Sequence, residues 1–172
     1  ILKLGRLFTD IAAASSQQDL VQAGRTSTAF LGSFAVLFTF GLARQFLSAP
    51  ASLLAASLMA VSPGIVIHSH YLKEDIALTC FATGSLILAI VIGKEADGDI
   101  SSKTIDPKTS LLWGLLTGLA IASKYTAFLL LPFYYFLPKL ISKIHRKTFH
   151  NHLIISASIA AVIFFLINNQ LF

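Results

Sequence analysis

Three apolar runs without a charged residue constrain this chain more than any other feature of its sequence. Residues 26–43, 50–67 and 76–92 contain 17 or 18 residues each and no Asp, Glu, Lys or Arg. A helix of about 20 apolar residues spans the hydrocarbon of a bilayer. Buried helices of a soluble protein are the alternative, but several such runs in tandem favour membrane spans. We therefore predict an all-α, polytopic membrane protein, because backbone groups in lipid must bond within their own segment.

The composition supports lipid as the main solvent. Of the 172 residues, 55% are hydrophobic and 12% charged, and the mean hydropathy is +0.76; a soluble domain carries about 25% charged residues. The net charge of +5 is scattered between the apolar runs, which suits loops facing anionic headgroups better than a nucleic-acid surface. Cys80, the only cysteine, excludes an intrachain disulfide and is expected to be a small core residue.

Lys124 lies near the middle of the longest apolar run, residues 111–137. A single 27-residue helix would place this ammonium near mid-bilayer. That position costs roughly 2.5–3.5 kcal/mol or more. The alternative, which we favour, divides the run into residues 111–123 and 125–137, each about 20 Å long as a helix. Lys124 would then lie at a turn in an aqueous cavity.

The predicted architecture has about six transmembrane helices, some of them short, together with interfacial amphipathic helices. Residues 1–24 carry apolar residues at helical spacing and suit an interfacial segment. The transmembrane helical domain, residues 25–172, holds spans at about 26–46, 50–67, 75–92, 110–123, 125–138 and 153–172. Gly114 and Gly118 are expected to permit close approach between helices.

The division at Lys124 also sets a predicted orientation. It places eight Lys and Arg residues on one face of the membrane and five on the other. The positive-inside rule makes the first face cytoplasmic. Residues 68–75 then lie on the extracytoplasmic side, and we expect the plasma membrane as the location. An undivided helix with the whole molecule inverted satisfies the rule as well, so both topologies stay open.

The segment HSHYLKED places five ionisable residues between two apolar runs: His68, His70, Lys73, Glu74 and Asp75. If the segment continues as a helix, His68 converges with Asp75, and His70 with Glu74. Three interpretations stay open. The segment is a solvated loop whose carboxylates favour the start of the next helix, a metal site, or a catalytic site.

The metal interpretation favours a transient ion over structural zinc. Histidines and carboxylates are acceptable ligands, but their spacing matches no zinc motif and Lys73 adds a competing cation. Mg²⁺ or Mn²⁺ held by Asp75 and a substrate phosphate is the favoured metal prediction, and no cofactor is certain. In the catalytic interpretation, carboxylates position or deprotonate an acceptor hydroxyl. The cations Arg25, Lys73 and Lys124 would hold a lipid-linked phosphate.

Three stretches in order resemble the GT-C membrane glycosyltransferases, above all the protein mannosyltransferase-like glycosyltransferase family 39 and its lipid A aminoarabinose transferase relatives. They are RTSTAFLGSFAVLFTFGLARQF, LLAASLMAVSPGIVIHSHYLKEDIALT and LLWGLLTGLAIASKYTAFLLLP. The resemblance rests on Arg25 opening a span, Ser62-Pro63 closing one, and Asp75 after a His-rich segment. Lys124 then follows a Gly-x-x-x-Gly helix.

The resemblance implies an enzyme that transfers a sugar from a polyprenyl-phosphate-linked donor to an acceptor on the extracytoplasmic face. It implies Asp75, with its neighbour Glu74, as the carboxylate that orients donor or acceptor, and Arg25 as a phosphate contact. The other residues would line the site or reach the phosphate: His68, His70, Lys73 and Lys124. In this family the principal acid follows the first span. We therefore expect a fragment that needs residues upstream of Ile1 for activity.

A non-enzymatic transporter or lipid-binding membrane protein is the alternative, because intramembrane His, Lys and Asp also mark ion and proton pathways. A transporter predicts access to Asp75 from both sides of the membrane, whereas a transferase predicts access from one. A structural subunit is the third possibility. The expected partners are the lipid-linked donor, membrane lipids and an acceptor that is a protein, a lipid or a glycan, with no nucleic acid among them.

Overall fold

In a computed structural model of the chain, the described residues form helices and the turns between them, with no strand. The description covers residues 17–71, 73–95, 107–134, 136 and 146–168. The helices are, in chain order, α1 Gln17–Ala43, α2 Ala49–Ala60, α3 Pro63–His70, α4 Glu74–Glu95, α5 Pro107–Ser123, a 3₁₀ helix Tyr125–Leu130, and α6 Arg146–Ile167. The all-α prediction is confirmed.

Three helical stretches are long and apolar enough to cross a membrane: Gln18–Ala43, Glu74–Lys94 and His150–Ile167. A fourth candidate is the pair α2 and α3, which is bent by 53° at its break. Large apolar side chains stay exposed on these helices, including Phe30 at 63% and Leu54 at 61%. Such a surface suits lipid, whose tails are as apolar as the side chains. The described residues thus provide three or four candidate spans, not the six predicted.

The predicted span 50–67 contains a break between two helices. α2 ends at Ala60, and α3 begins at Pro63 after Ser62 in extended backbone, with φ −60° and ψ 124°. Proline has no backbone N–H and its ring clashes with the preceding turn. It also disfavours helical backbone in the residue before it. These two effects account for the break.

The predicted boundary between residues 24 and 25 falls inside α1. This helix already includes Gln17 and continues without interruption to Ala43, three residues short of the predicted end at 46. It is 27 residues long, about 40 Å at 1.5 Å per residue. α1 is therefore longer than the roughly 30 Å of bilayer hydrocarbon. The rest of the predicted interfacial segment, residues 1–16, lies outside the described residues.

The structure has the predicted break at Lys124, and the two spans on either side of it stay a prediction. α5 ends at Ser123, and Lys124 takes an extended conformation, φ −155° and ψ 122°, before the 3₁₀ helix. The apolar helix that follows runs over Tyr125–Tyr134, and residues 137 and 138 of the predicted span lie outside the description. α5 has 17 residues and is about 25 Å long, which is short for a full span.

The chain divides into two compact units, Ile1–Cys80 and Phe81–Phe172. In the first unit α1 packs against α2 and α3 through small residues at helical spacing: Thr28, Gly32, Ala35 and Thr39. The Thr39 hydroxyl donates to Met59 Sδ of α2 at 2.6 Å. Cys80 of α4 is 2% exposed, which confirms its prediction as a core residue.

The second unit contains the later part of α4 with α5 and α6. The hydroxyls of Ser85 and Thr117 are 2.7 Å apart and both residues are buried. A hydrophobic core forms beside this pair: Ala89, Ile92, Trp113 and Tyr134. Because each buried hydroxyl has the other as a partner, the unit satisfies these polar groups inside an apolar core.

Helices α5 and α6 pack closely and run parallel. A Cβ atom on Gly114 would lie 2.9 Å from Ser156 Cα, and one on Gly118 would lie 2.9 Å from Ala160 Cα. The residue numbers of the contacting positions therefore rise together along α5 and α6, which makes the two helices parallel. The predicted close approach at the two glycines is confirmed.

Candidate functional site

An open groove, here called the polar groove, lies in the first unit between the first half of α1 and the end of α3. Its volume is about 990 Å³. Its lining residues are Gln18, Val21, Gln22, Arg25, Thr26, Ala29, Ser69, His70 and Tyr71. Those on α1 recur every three or four residues and therefore lie on one face of the helix. Arg25 supplies the permanent charge, and no described lining residue is a carboxylate.

Two of the predicted site residues, Arg25 and His70, are brought together in this groove. They are 45 positions apart in the chain and meet because α3 packs along α1. Arg25 is exposed, so its guanidinium is accessible. A guanidinium is planar, permanently charged and carries five N–H donors, which suits it to phosphate oxygens. The groove thus offers an accessible binding group for an anion.

The ring of His70 is oriented by its own helix. Its Nδ1 lies 2.8 Å from the backbone carbonyl oxygen of Val66. A carbonyl oxygen only accepts, so Nδ1 carries a proton and donates it to this bond. Nε2, on the opposite side of the ring, is left to accept from a hydroxyl or, in the imidazolium form, to donate to an anion. His70 therefore presents one defined nitrogen for ligand contact.

Close packing of α1 against α3 forms the floor of the groove. Thr28 is fully buried, and its hydroxyl is 3.1 Å from the carbonyl oxygen of Ser69. At Gly32 an added Cβ would lie 3.2 Å from Ser69 Cβ and would also collide with its hydroxyl. A larger residue at position 32 would displace the Ser69 side chain or move α3 away from α1. Gly32 thus sets the spacing of the two helices that carry Arg25 and His70.

A second, mainly apolar groove continues from the polar one. It has a volume of about 520 Å³ and is here called the apolar groove. The two grooves share Ala29, Ser69 and His70. Further along α1, and on α2 and α3, the lining is mostly aliphatic: Gly32, Ser33, Val36, Leu37, Ala60, Ile65 and Val66. The same side of α1 therefore changes from polar to apolar between Arg25 and Leu37.

The charged segment after α3 is not the continuous helix on which its pairings were predicted. α3 ends at His70, and Tyr71 is extended with φ −107° and ψ 151°. α4 then starts at Glu74. The condition for pairing His68 with Asp75 and His70 with Glu74, a continuous helix, is therefore not met. The sequence contains no proline or glycine there to mark the break.

The remaining predicted residues of the first unit surround the break and do not line either groove. His68 is half-buried, and its Nδ1 has no hydrogen-bond partner among the described residues. Lys73 and Glu74 are exposed, and Asp75 is half-buried. Glu74 and Asp75 occupy the first turn of α4, where carboxylates are favoured by the helix dipole. Their position agrees with the loop interpretation and leaves their catalytic role a prediction.

Lys124 belongs to the second unit, where it is half-buried at the break between α5 and the 3₁₀ helix. A lysine at such a break avoids the cost of an ammonium inside a continuous span. The structure thus explains why the apolar run tolerates this charge. Its predicted contact with a phosphate stays a prediction.

The described residues contain no group of three or more His, Cys, Asp and Glu side chains that could hold a metal ion. A Mg²⁺ or Mn²⁺ ion at Asp75 would need most of its oxygen ligands from a substrate phosphate and from water. That arrangement is the one predicted from sequence, and it stays a prediction.

The groove also contains polar residues that sequence reasoning missed, namely Gln18, Gln22, Thr26 and Tyr71. The signal for the α1 residues was present, because Gln18, Gln22 and Arg25 recur at helical spacing. This signal was missed because the start of the helix was predicted near residue 26. Tyr71 had no comparable signal, since its position depends on the unmarked break after α3.

Comparison with known protein families gives a match over most of the chain. The family described as dolichyl-phosphate-mannose-protein mannosyltransferase matches residues 5–168. No curated protein and no solved structure matches the chain. The match covers both units and includes every residue that lines the two grooves.

Proposed function

The chain belongs to the dolichyl-phosphate-mannose-protein mannosyltransferase family and is a membrane glycosyltransferase of the mannosyltransferase type; from this premise we propose that the two grooves of the first unit bind a polyprenyl-phosphate-linked sugar. The phosphate binds at Arg25 in the polar groove, and the first part of the prenyl chain follows the apolar groove. The family membership favours this transferase over the transporter or lipid-binding alternative.

The change from polar to apolar along one face of α1 is the observation that carries the proposal. A lipid-linked phosphate has a charged group joined directly to a hydrocarbon chain. Arg25 and Leu37 are 12 positions apart, which corresponds to about 18 Å along a helix. A ligand with only a charged group would use only the polar groove, and a ligand with only a hydrocarbon chain would use only the apolar groove.

Arg25 is the proposed phosphate contact because it is the permanently charged residue of the groove lining. The phosphodiester of the donor carries one negative charge, and a charge-assisted bond to a guanidinium suits it. His70 Nε2 lies on the same groove and donates to a phosphate oxygen in the imidazolium form. The two side chains together stabilise the charge that develops on the leaving phosphate.

The proposed reaction is a displacement at the anomeric carbon of the sugar. The bond between this carbon and the phosphate oxygen breaks, and its electron pair stays on the polyprenyl phosphate. The oxygen of an acceptor hydroxyl forms the new bond, and its proton passes to a carboxylate base. Asp75 and Glu74 are the proposed carboxylates in this chain, acting on donor or acceptor from the start of α4. His68, Lys73 and Lys124 are the proposed further contacts.

We also propose that the grooves open on the extracytoplasmic side of the plasma membrane. The confirmed break at Lys124 and the parallel α5 and α6 support the divided topology. In that topology eight of the 13 Lys and Arg residues lie on the face opposite to the charged segment. The positive-inside rule assigns that basic face to the cytoplasm.

Arg25→Gln tests the proposal, with Arg44→Gln as its matched control. Arg44 is an exposed arginine just beyond the other end of α1, where its Nη1 donates to the Leu47 carbonyl oxygen at 2.7 Å. In membranes that hold the whole protein and its native acceptors, release of polyprenyl phosphate from a polyprenyl-phosphate mannose donor is measured. Loss of a charge-assisted bond worth about 1.5–3 kcal/mol should lower kcat/KM by about 10- to 100-fold in the Arg25 variant.

The Arg44 variant should stay within about threefold of wild type, which is about 0.7 kcal/mol. Equal activity of the two variants would contradict phosphate binding at Arg25. Asp75→Asn in the same assay tests the carboxylate: a change of less than about threefold would rule out its proposed role.

A further inference from the structure

An apolar crevice of about 480 Å³ in the second unit has the depth of one leaflet of a bilayer. It is lined by residues of α5, of α6, and of the 3₁₀ helix with the chain after it. Along α6 its lining extends from Leu153 to Phe165, which is about 18 Å at 1.5 Å per residue. One leaflet of hydrocarbon is about 15 Å deep, half of the whole core. A phospholipid acyl chain therefore suits the length of this crevice.

The register of the two helices shows where the crevice begins. Three contacts between α5 and α6 join positions that are 42 apart: Gly114 with Ser156, Gly118 with Ala160, and Ser110 with His152. Lys108, exposed in the first turn of α5, is therefore level with His150, which is exposed on α6. Leu153 follows His150 by three residues, about 4.5 Å along the axis. The crevice thus starts within one helical turn of this level.

Cations collect at the same end of the two helices. α6 begins with Arg146 and Lys147, and Arg146 lies seven positions before Leu153, on the same face of the helix. Residues 138–152 contain four Lys and Arg residues and no Asp or Glu in the sequence. Asp106 directly precedes α5, so one carboxylate stands against the cations Lys108, Arg146 and Lys147. The end of the crevice is therefore basic, and the crevice itself is apolar.

We propose that the crevice and this basic end bind one anionic phospholipid, with an acyl chain along α6 and the phosphate headgroup at the starts of α5 and α6. The charge of the basic end favours an anionic headgroup over a zwitterionic one. In the proposed topology this end faces the cytoplasm, where the leaflet carries anionic lipids. Basic pockets between transmembrane helices bind such headgroups on that side of a membrane.

The fluorescence of Trp113 gives a direct readout of the crevice. Trp113 is the single tryptophan of the sequence and lines the crevice, and bromine atoms on an acyl chain quench tryptophan at short range. The whole protein is reconstituted in vesicles of phosphatidylglycerol and phosphatidylcholine in equal amounts, with the bromines on one lipid or on the other. The quenching that Trp113→Phe removes belongs to this residue. The ratio of the two quenching values gives the preference for the anionic lipid.

Lys108→Gln and Arg146→Gln test the headgroup contact. Each should lower the preference by about fivefold, the contribution of one cation near a membrane surface. Arg44→Gln is the matched control, because Arg44 lies in the first unit on the same predicted face of the membrane and should leave the preference unchanged. Loss of folded protein affects both vesicle preparations and cancels in the ratio.

Ala161→Phe tests the chain contact. Ala161 is exposed and lines the crevice, whereas its neighbour Val162 is 56% exposed and does not line it. The ring at position 161 should abolish the preference for phosphatidylglycerol, and Val162→Phe should keep it.

Equal quenching of wild type by the two brominated lipids would overturn the proposal, because it is the result for lipid that surrounds the protein without a site. An unchanged preference in both charge variants would overturn it as well. Relief of the quenching by added polyprenyl phosphate would assign the crevice to the prenyl chain of the donor instead. The preference is measured without donor, so failure of the proposed donor site leaves this test intact.

Discussion

Both units of the molecule have small residues at their helix contacts, but these contacts have opposite effects on the space available to a ligand. In the first unit, Gly32 and Thr28 bring α1 against Ser69, and open grooves remain on either side of that contact. In the second, Gly114 and Gly118 close α5 onto the backbone of α6. The first contact leaves room for a ligand between exposed polar groups. The second leaves no room between α5 and α6 at the two glycines, which suits a structural support.

The polar residues of the two units also differ, because those of the first unit are exposed on a groove and those of the second are buried. In the first unit Arg25, Gln22 and His70 are exposed on a groove. In the second unit buried polar residues pair with each other, as in Ser85 with Thr117 and Ser110 with His152. The crevice of about 480 Å³ beside α5 and α6 is lined mainly by apolar residues. The exposed polar groups of the first unit line a groove that is open to a ligand, so the contrast points to the first unit as the site.

Gly114→Val should have the largest effect on stability. Its new side chain would meet the carbonyl oxygen of Ser156 at 2.6 Å from Cβ, and backbone cannot move away as a side chain can. We expect a loss of about 3 kcal/mol or more of unfolding free energy, measured by thermal unfolding of the detergent-solubilised protein. Gly64→Ala is the control, because its nearest contact would be Ser62 Oγ at 4.0 Å. Equal unfolding temperatures would contradict close packing in the second unit.

Gly32→Ala should have a smaller effect on stability and a clear effect on the donor. Its Cβ would collide with the Ser69 hydroxyl, a side-chain group, so we expect a loss of about 1–2 kcal/mol. The altered spacing of α1 and α3 should also weaken binding of polyprenyl phosphate, measured with the protein in nanodiscs. Adding Ser69→Ala removes the colliding oxygen and should restore part of both losses. A double variant no better than Gly32→Ala would show that this contact does not set the groove.

The smallest effect is expected at the buried hydroxyl pair of the second unit. A double-mutant cycle with Ser85→Ala and Thr117→Val measures the coupling of the two hydroxyls, which are 2.7 Å apart. Interhelical hydrogen bonds in membrane proteins average about 0.6 kcal/mol in such cycles, and we expect a value of this size from chemical denaturation. Release of polyprenyl phosphate should scale only with the amount of folded protein. A selective loss of activity would give the pair a role in catalysis and weaken the contrast between the units.

The sequence predicted those parts of the fold where a residue carries a large energetic cost. Lys124 marked the break after α5 because an ammonium in mid-bilayer is costly. Gly114 and Gly118 marked the close contact of α5 because a missing side chain permits it. Pro63 was visible too, but the bend of 53° depends on how α2 and α3 pack on α1, and a single sequence does not contain that information.

The candidate site was predicted only in part, because some of its residues carry no strong energetic signal in the sequence. Arg25 and His70 were identified as members of one site, and they line one groove. The break at Tyr71 has no local signal, so the helical spacing that would pair His68 with Asp75 does not apply to this segment. Gln18 and Gln22 were missed because uncharged polar residues before an apolar run look the same in a loop as in a helix that extends beyond the bilayer.

The most direct test of the account is whether polyprenyl phosphate covers the polar groove. Thr26 is exposed and lines this groove, and Ser48, exposed at the other end of α1, lines neither groove. In a Cys80→Ala background, Thr26→Cys and Ser48→Cys are labelled with a polar thiol reagent in detergent solution, where both ends of α1 are accessible, with and without polyprenyl phosphate. At ten times Kd the labelling rate at position 26 should fall to about a tenth, the free fraction left by mass action, and the rate at position 48 should not change. Unprotected labelling at position 26, in protein that still releases polyprenyl phosphate from its donor, would contradict a donor site in this groove.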